Sequence, residues 1–249
     1  MARPKLEGRI TVPTGGWVIS VTDSGGTDAA ITVAAGDYYL SSVTSILTTL
    51  QTALNASVTL AGTYTVTVAS GTDAATGKVT ISATGGGNIS ITWTATDLRD
   101  RLGFSANVSG ATSHTGAEQA EYLFLPNCGR EAGLLAADGD EGINESDLVV
   151  AVSNDGSMVS TQFASRKRDV LGFAALVGSR TLKTFETTVN ASLQKFWEDV
   201  LIAGRPFRYH KDRSSDATYV TWRATQVANL VVRGNDRGWS GANALYNWS

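Results

Sequence analysis

The sequence predicts a β-rich α+β fold of two sheet-based units, each packed with one amphipathic helix in a sandwich-like arrangement. Several segments alternate apolar and polar residues at period two, which is typical of half-buried strands. Two other segments repeat apolar residues every three or four positions, as amphipathic helices do. Charge divides the chain, because residues 10–96 carry five charged side chains and residues 97–249 carry thirty-four. We therefore predict one unit over 1–115 and a second over 116–249.

The first unit is predicted to be a β-meander rich in Thr and Val, whose β-branched side chains suit strands. WVISVT (17–22) and AITVAA (30–35) flank a turn that contains Gly25 and Gly26. TYTVTVAS (63–70), GKVTISAT (77–84) and NISITWTA (88–95) alternate apolar and polar residues and are separated by Gly-containing turns. DLRDRLGF (97–104) predicts a short helical turn that closes the unit.

The helix of the first unit is predicted over residues 39–55. Its apolar positions fall three or four apart and form one stripe: Leu40, Val43, Ile46, Leu47, Leu50 and Leu54. Asp37, Ser41 or Ser42 is placed to cap its first amide groups. The opposite face carries Ser, Thr and Gln without any charge, which predicts a polar surface that does not depend on ion pairs.

The second unit is predicted to combine strands with one longer helix. AEYLFLPN (120–127) predicts a strand, and DLVVAVSNDGSMVSTQF (147–163) predicts a hairpin that turns around Asn154, Asp155 and Gly156. RDVLGFAALVGS (168–179) is typical of a buried strand. An amphipathic helix follows over 184–203, and Gly204 is placed to end it. RPFRYHKD and ATYVTWRATQVANLVVRG then predict a hairpin that turns within 212–216.

The composition argues against several classes of protein. A net charge of −3 gives no overall basic surface for nucleic acid. No run of eighteen apolar residues is present, so we expect no helix across a membrane. The first residues, MARPKLEGRITVP, contain no apolar segment of the kind that a secretory signal needs.

We predict no enzymatic activity and no cofactor site. His114 and His210 lie in polar surroundings without a strained nucleophile turn, which favours ordinary surface residues. Cys128, the one cysteine, predicts a small buried side chain and excludes an internal disulfide framework.

One acidic stretch, DGDEGINESD (138–147), contains the best candidates for metal ligands. Asp138, Asp140 and Asn144 are closely spaced oxygen donors, which suit a hard cation such as calcium. The stretch departs from the helix-flanked calcium loop at its third and closing ligand positions, where Gly142 and Val149 stand. We therefore predict a solvated acidic loop without a bound metal.

Two groups of residues are predicted to form contacts between subunits. The basic group consists of Arg166, Arg168, Arg205 and Arg208. Around 205–223 basic residues alternate with aromatic ones, so we expect a core-facing aromatic row and outward-facing basic side chains. The aromatic group consists of Trp239, Tyr246 and Trp248. Such large side chains amid Gly, Asn and Ser need a surface to pack on, either the chain's own sheet or a neighbouring chain.

Two stretches resemble structural proteins of tailed-bacteriophage virions. ITVAAGDYYLSSVTSILTTLQTALNA, with the strands that follow it and LRDRLGF, resembles a virion module in which a Gly-Asp-Tyr turn enters a helix. SLQKFWEDVLIAGRPFRYHKD, followed by TYVTW, resembles tail and baseplate proteins of the distal-tail type. The resemblance implies a protein that is made in the host cytoplasm and assembles in the virion tail. Its expected partners are copies of itself, in a ring of three or six, and other tail or baseplate proteins.

Two other functions stay open at this point. A carbohydrate-binding adhesin or receptor-binding module would have a similar Ser- and Thr-rich surface, and it would also expose coplanar aromatic side chains near Asp or Asn. A hydrolase that used the 138–147 loop would depend on Asp138 or Asp140.

Overall fold

The computed structural model describes residues 5–72, 75–125, 134–136, 143–145, 148–152, 158–162, 166–173, 193–210, 212–227, 231–232 and 239–247. From 134 to 194, at 197 and after 223, the description covers the backbone alone. Antiparallel sheets with few helices dominate these residues, which confirms the β-rich α+β class. The sandwich-like arrangement and the division at residue 115 stay predictions.

The strands up to residue 125 are β1 (Lys5–Gly8), β2 (Ile10–Val12), β3 (Trp17–Asp23), β4 (Gly26–Val33), β5 (Gly36–Tyr38), β6 (Thr63–Val68), β7 (Val79–Thr84), β8 (Ile89–Thr92), β9 (Val108–Ala111), β10 (Ser113–Thr115) and β11 (Leu123–Phe124). Those described after it are β12 (Leu134–Ala136), β13 (Ile143–Glu145), β14 (Leu148–Val152), β15 (Met158–Gln162), β16 (Arg166–Phe173), β17 (Pro206–His210), β18 (Val220–Val227), β19 (Val231–Val232) and β20 (Trp239–Asn247). The helices are α1 (Ile46–Asn55), α2 (Thr96–Arg101) and α3, in which Leu193–Phe196 continues into a π-helical segment, Trp197–Ile202.

The helix α1 begins seven residues later than the sequence predicted. Ser45 has an extended backbone, and its Oγ accepts hydrogen bonds from the amides of Leu47 and Thr48 at 3.1 and 3.4 Å. Ser45 is therefore the N-cap, and the prediction of Asp37, Ser41 or Ser42 was wrong. The buried stripe of α1 is confirmed at Ile46, Leu47, Leu50 and Leu54. Val43, which we placed in that stripe, lies in the preceding loop and is 64% exposed.

The predicted meander is correct for the hairpins β3–β4 and β6–β7 but wrong for β8. This strand pairs with β3 and β9, while β10 takes the free edge of β7. The connection from β7 to β8 crosses between sheets at three consecutive glycines, of which Gly85 and Gly87 have φ of +86° and +67°. Gly86, between them, is packed so closely that an added Cβ would lie 2.6 Å from Oδ2 of Asp23. This chain path needs glycine, because other residues rarely adopt positive φ.

The helix α1 packs against both β4 and β6 and covers the outer edge of β6. Oε1 of Gln51 accepts a hydrogen bond of 2.9 Å from the amide of Val66. The side-chain amide of Asn55 accepts from the backbone amide of Tyr64 at 2.7 Å and donates to its carbonyl at 2.9 Å. These contacts satisfy backbone groups that an open edge would offer to another strand. The edge of β6 is therefore closed to a neighbouring chain at these residues.

Most of the elements predicted after residue 116 are confirmed where the chain is described. β14 and β15 pair as an antiparallel hairpin, with Val152 opposite Met158, and the predicted turn at 154–156 lies outside the described residues. β17 and β18 pair across the predicted 212–216 turn. The predicted 184–203 helix is present over 193–202, and its earlier residues lie outside the described ones. Gly204, with φ of +61°, follows its end as expected.

The strand β1 lies in the largest described sheet, whose order is β11-β1-β17-β18-β20-β16-β12. It pairs antiparallel with β17, so that Lys5 lies opposite His210 and Glu7 opposite Arg208. Because side chains alternate along a strand, one face of this pair carries those four residues. The other face carries Leu6 and Phe207, which join the core together with Phe196 and Val200 of α3.

Candidate functional site: a buried charged cluster

The charged face of β1 and β17 is sealed inside the protein. Lys5, Glu7 and His210 are fully buried, and Arg208 is 8% exposed. We expected the basic side chains of β17 to face outward and His210 to be a surface residue, and both expectations were wrong. The residues 39–45 and the loop 212–219 cover this face, and the sequence alternation alone does not reveal such a cover.

The ammonium group of Lys5 lies at the centre of the cluster. Its Nζ is 3.2 Å from Oε1 of Glu7 and forms a second ion pair with the carboxylate of Asp216. It also donates a hydrogen bond of 2.9 Å to Oγ of Ser41, whose hydroxyl in turn donates to Glu7. The cluster therefore joins β1 to the loop before α1 and to the loop before β18.

The imidazole of His210 lies on the other side of Glu7. Its Nε2 is 3.5 Å from Oε2 of Glu7, and its Nδ1 is 3.2 Å from the carbonyl oxygen of Ser215. Burial alone would raise the pKa of Glu7, but His210, Lys5 and Ser41 together lower it to about 2. Glu7 is therefore an anion at neutral pH although it is fully buried.

The guanidinium group of Arg208 lies between two tyrosine rings. Its Cζ is 3.8 Å from the ring centroid of Tyr39 and 4.1 Å from that of Tyr219. It also donates hydrogen bonds to the hydroxyl of Ser42 and the carbonyl oxygen of Val43. Planar stacking and directed donation suit arginine, so Arg208 fixes the loop before α1 onto β17.

A second contact of this kind joins α2 to the segment that follows α3. Tyr122 is buried, and its ring lies 4.4 Å from Cζ of Arg101 and 5.2 Å from Cζ of Arg205. Arg101 also pairs with Glu121. Arg205, which we predicted at a subunit interface, is half-buried against this ring. The cation–π contacts thus use two of the predicted interface arginines, Arg205 and Arg208, within the chain.

The other predicted interface residues lie on strands or outside the described part. Arg166 and Arg168 are in β16, where Arg168 pairs with Tyr246 in β20. The backbone of β20, which includes Trp239, pairs with β16 and β18 of the same sheet. Trp248 lies outside the described residues. The role of these residues in subunit contacts stays a prediction.

The predicted metal candidates are not brought together in the described part of the chain. Asn144 lies in β13, opposite Lys167 of β16, while Asp138 and Asp140 lie outside the described residues. Among the residues whose side chains the structure describes, no group of three His, Cys, Asp or Glu is placed to hold a metal ion. His114 is half-buried, with Nε2 3.0 Å from the carbonyl oxygen of Ile89. Cys128 lies outside the described residues.

One face of the sheet β10-β7-β6 carries hydroxyl side chains in a regular grid. Cross-strand pairing aligns them in rows, and two pairs are hydrogen-bonded, Thr65 to Ser82 at 2.7 Å and Thr80 to Thr115 at 2.9 Å. We call this surface the hydroxyl face, and it consists of Thr63, Thr65, Thr67, Thr80, Ser82, Thr84, Ser113 and Thr115. All eight are exposed or half-buried, and none is charged.

No family model matches the chain, and neither a curated protein nor a solved structure matches it. None of the described helices is long and apolar enough to cross a membrane.

Proposed function

We propose that this protein is a structural component of a tailed-phage virion, in the tail or baseplate, that works through contacts with copies of itself. The hydroxyl face is the observation that supports this proposal best. An uncharged polar face stays hydrated at any ionic strength, because it does not depend on screened ion pairs. Burying hydroxyl groups that find partners also costs less than burying unpaired charges, so such a face suits assembly.

The placement of the charged groups also supports an assembly role. Glu7 and Asp216 both approach Lys5, and Glu7 and Lys5 are fully buried beneath Ser41. A substrate would have to displace the loop before α1 to reach them. In this arrangement the charges join segments of the chain and do not converge on an open cleft.

The closed edge of β6 bears on which surfaces would form the contacts between copies. An edge strand offers unpaired backbone groups to a neighbouring chain, but Gln51 and Asn55 already occupy the outer edge of β6. Contacts between copies through this part of the protein would therefore use sheet faces. The sandwich-like packing of the first unit, with the hydroxyl face turned outward, belongs to the same proposal.

Native mass spectrometry of the purified full chain tests the proposal. We expect closed rings of three or six copies, and a strict monomer at high concentration would contradict self-assembly. Thr67→Lys places a charge on the hydroxyl face and should weaken association at least tenfold. Thr48→Lys, at an exposed position on α1, is the matched control and should leave association unchanged.

The adhesin alternative has a distinct signature. Wherever the structure describes side chains, every Trp, Tyr and Phe is buried or half-buried, so exposed coplanar aromatics are not found in that part. Specific binding of the monomeric chain to a glycan array would favour the adhesin over the virion component.

A further inference from the structure

The strand β1 is held in its place by charges as well as by its backbone. It lies between β11 and β17, and within the described residues β11 supplies the two pairs Leu6–Phe124 and Glu7–Leu123. Two backbone hydrogen bonds fix its end, from Gly8 to the carbonyl of Tyr122 at 2.7 Å and from Arg9 to that of Pro206 at 2.9 Å. The charged side chains of Lys5 and Glu7 make the remaining polar contacts on the buried face.

We propose that this cluster is an acid-sensitive latch, which keeps β1 between β11 and β17 and releases it when Glu7 takes up a proton. A buried ion pair contributes little net stability. Removing one of its charges is nevertheless destabilising, because the other charge stays buried and has lost a partner. Protonation of Glu7 would remove the buried one of the two anions that contact Lys5, and among the described residues it would leave only Asp216, whose side chain is exposed, as its ion-pair partner.

Groups from β1, β17, the segment before α1 and the loop before β18 lie around Lys5, Glu7 and Arg208. Lys5 comes from β1, Tyr39 and Ser41 come from the segment before α1, and Arg208 and His210 come from β17. Asp216 and Tyr219 come from the loop before β18. Once Glu7 is neutral, Asp216 is the one anion left in this set beside the ammonium group of Lys5 and the guanidinium group of Arg208.

The release should be local. β1 is four residues long, and the buried side chains of the hairpin β6–β7, including Tyr64 and Ile81, make no contact with the charged cluster in any hydrogen bond or ion pair of the described residues. Elements with few ladder bonds open at a lower free energy than the core. The pKa of Glu7 is about 2 in the folded protein against 4.5 ordinarily, so the stabilisation of β1 by the Glu7 charge is lost as pH falls from 4.5 towards 2.

Pulse-labelling hydrogen exchange with mass spectrometry tests the latch on the full chain between pH 6 and pH 2.5. Exchange rates are divided by those of the unfolded chain at each pH. Protection of residues 5–8 and 206–210 should fall at least tenfold between pH 6 and pH 3, while residues 63–68 and 79–84 stay protected. Loss of protection at the same pH in all four segments would overturn the proposal, because it would mean that the protein unfolds globally.

Two variants and a control complete the test. Glu7→Gln should lower the protection of β1 already at pH 6 and remove its acid dependence, and an unchanged acid transition would overturn the latch. Ser41→Ala keeps all charges but removes a hydroxyl that donates to Glu7, so its transition should move to higher pH. A Ser41→Ala transition at the wild-type pH would also count against the proposal. Asp28→Asn, a carboxylate outside the cluster, should retain the wild-type transition.

Discussion

The phenol of Tyr64 donates a hydrogen bond of 3.0 Å to Oδ2 of Asp23, and both side chains are buried. The same carboxylate accepts hydrogen bonds from the backbone amides of Gly25, Ala61 and Gly62 at 2.8 to 3.1 Å. Burial alone would raise the pKa of Asp23, but these donors lower it. Burial and the bond to Asp23 raise the pKa of Tyr64. One carboxylate thus ties the turn between β3 and β4 to the start of β6.

Asp23→Ala should reduce the free energy of unfolding by about 2–4 kcal/mol, because several buried donors lose their acceptor. Urea denaturation at neutral pH measures this loss. Asp28→Ala is the matched control, since Asp28 is more exposed than Asp23 and accepts two hydrogen bonds, from the hydroxyl of Ser57 and the amide of Ala30. Its expected loss is about 1 kcal/mol or less. Equal losses in the two variants would show that Asp23 does not hold this turn.

Gly86→Ala should destabilise the protein by about 1–3 kcal/mol. An added Cβ would lie 2.6 Å from Oδ2 of Asp23 and 2.7 Å from Cα of Gly62, where a backbone atom cannot yield easily. Gly71→Ala is the control, because a Cβ there meets no atom within 4 Å. Thermal or urea unfolding should show that Gly86→Ala is less stable than Gly71→Ala. A neutral Gly86→Ala would mean that the close approach of 62 and 86 is not required.

Stability should fall in acid through Glu7. Its folded pKa of about 2 lies below the ordinary 4.5, so its contribution is complete above pH 4.5 and is lost as pH falls towards 2. The shift corresponds to about 3 kcal/mol. Urea unfolding at pH 6 and pH 3 should show a smaller decrease for Glu7→Gln than for the wild type. An identical decrease in both would assign the acid sensitivity to other carboxylates.

Asn55→Ala should open the edge of β6. Two hydrogen bonds with the backbone of Tyr64 are lost, so we expect a destabilisation of about 1–2 kcal/mol and stronger self-association through the exposed edge. Thr48→Ala, at an exposed position of the same helix, controls for helix propensity. Urea unfolding and light scattering measure the two effects. Unchanged scattering would show that another group protects the edge.

The elements of the fold were more predictable than the charged cluster. The alternation of apolar and polar residues predicted β3, β6 and β7 nearly correctly, because burial of every second residue requires that alternation in the sequence. The pairing of distant strands produces no such pattern in the sequence, so the predicted partner strand of β8 was wrong. Lys5 and Glu7 resemble an exposed segment in sequence, and their partners in β17 lie about two hundred residues further along the chain. The aromatic and basic alternation in β17 was recognised, but the segment that covers its charged face was not.

Thr44 stores backbone strain in the loop that covers the cluster. Its φ of +64° is uncommon for a β-branched residue and costs about 1–2 kcal/mol. The loop accepts this conformation because Tyr39 and Thr44 are joined by a backbone hydrogen bond of 3.1 Å, next to the contact of Arg208 with Val43. Strain of this kind persists only where surrounding contacts enforce it.

Thr44→Gly should therefore stabilise the protein by about 0.5–1 kcal/mol, since glycine adopts positive φ freely and its greater unfolded-state entropy offsets only part of the relief. Thr48→Gly lies in α1 and should instead destabilise by about 1 kcal/mol or less. Chemical denaturation of both variants shows directly whether each substitution raises or lowers the free energy of unfolding. Destabilisation by Thr44→Gly would mean that the side chain of Thr44, whose hydroxyl donates to the carbonyl of Val43, stabilises the loop more than its backbone strains it.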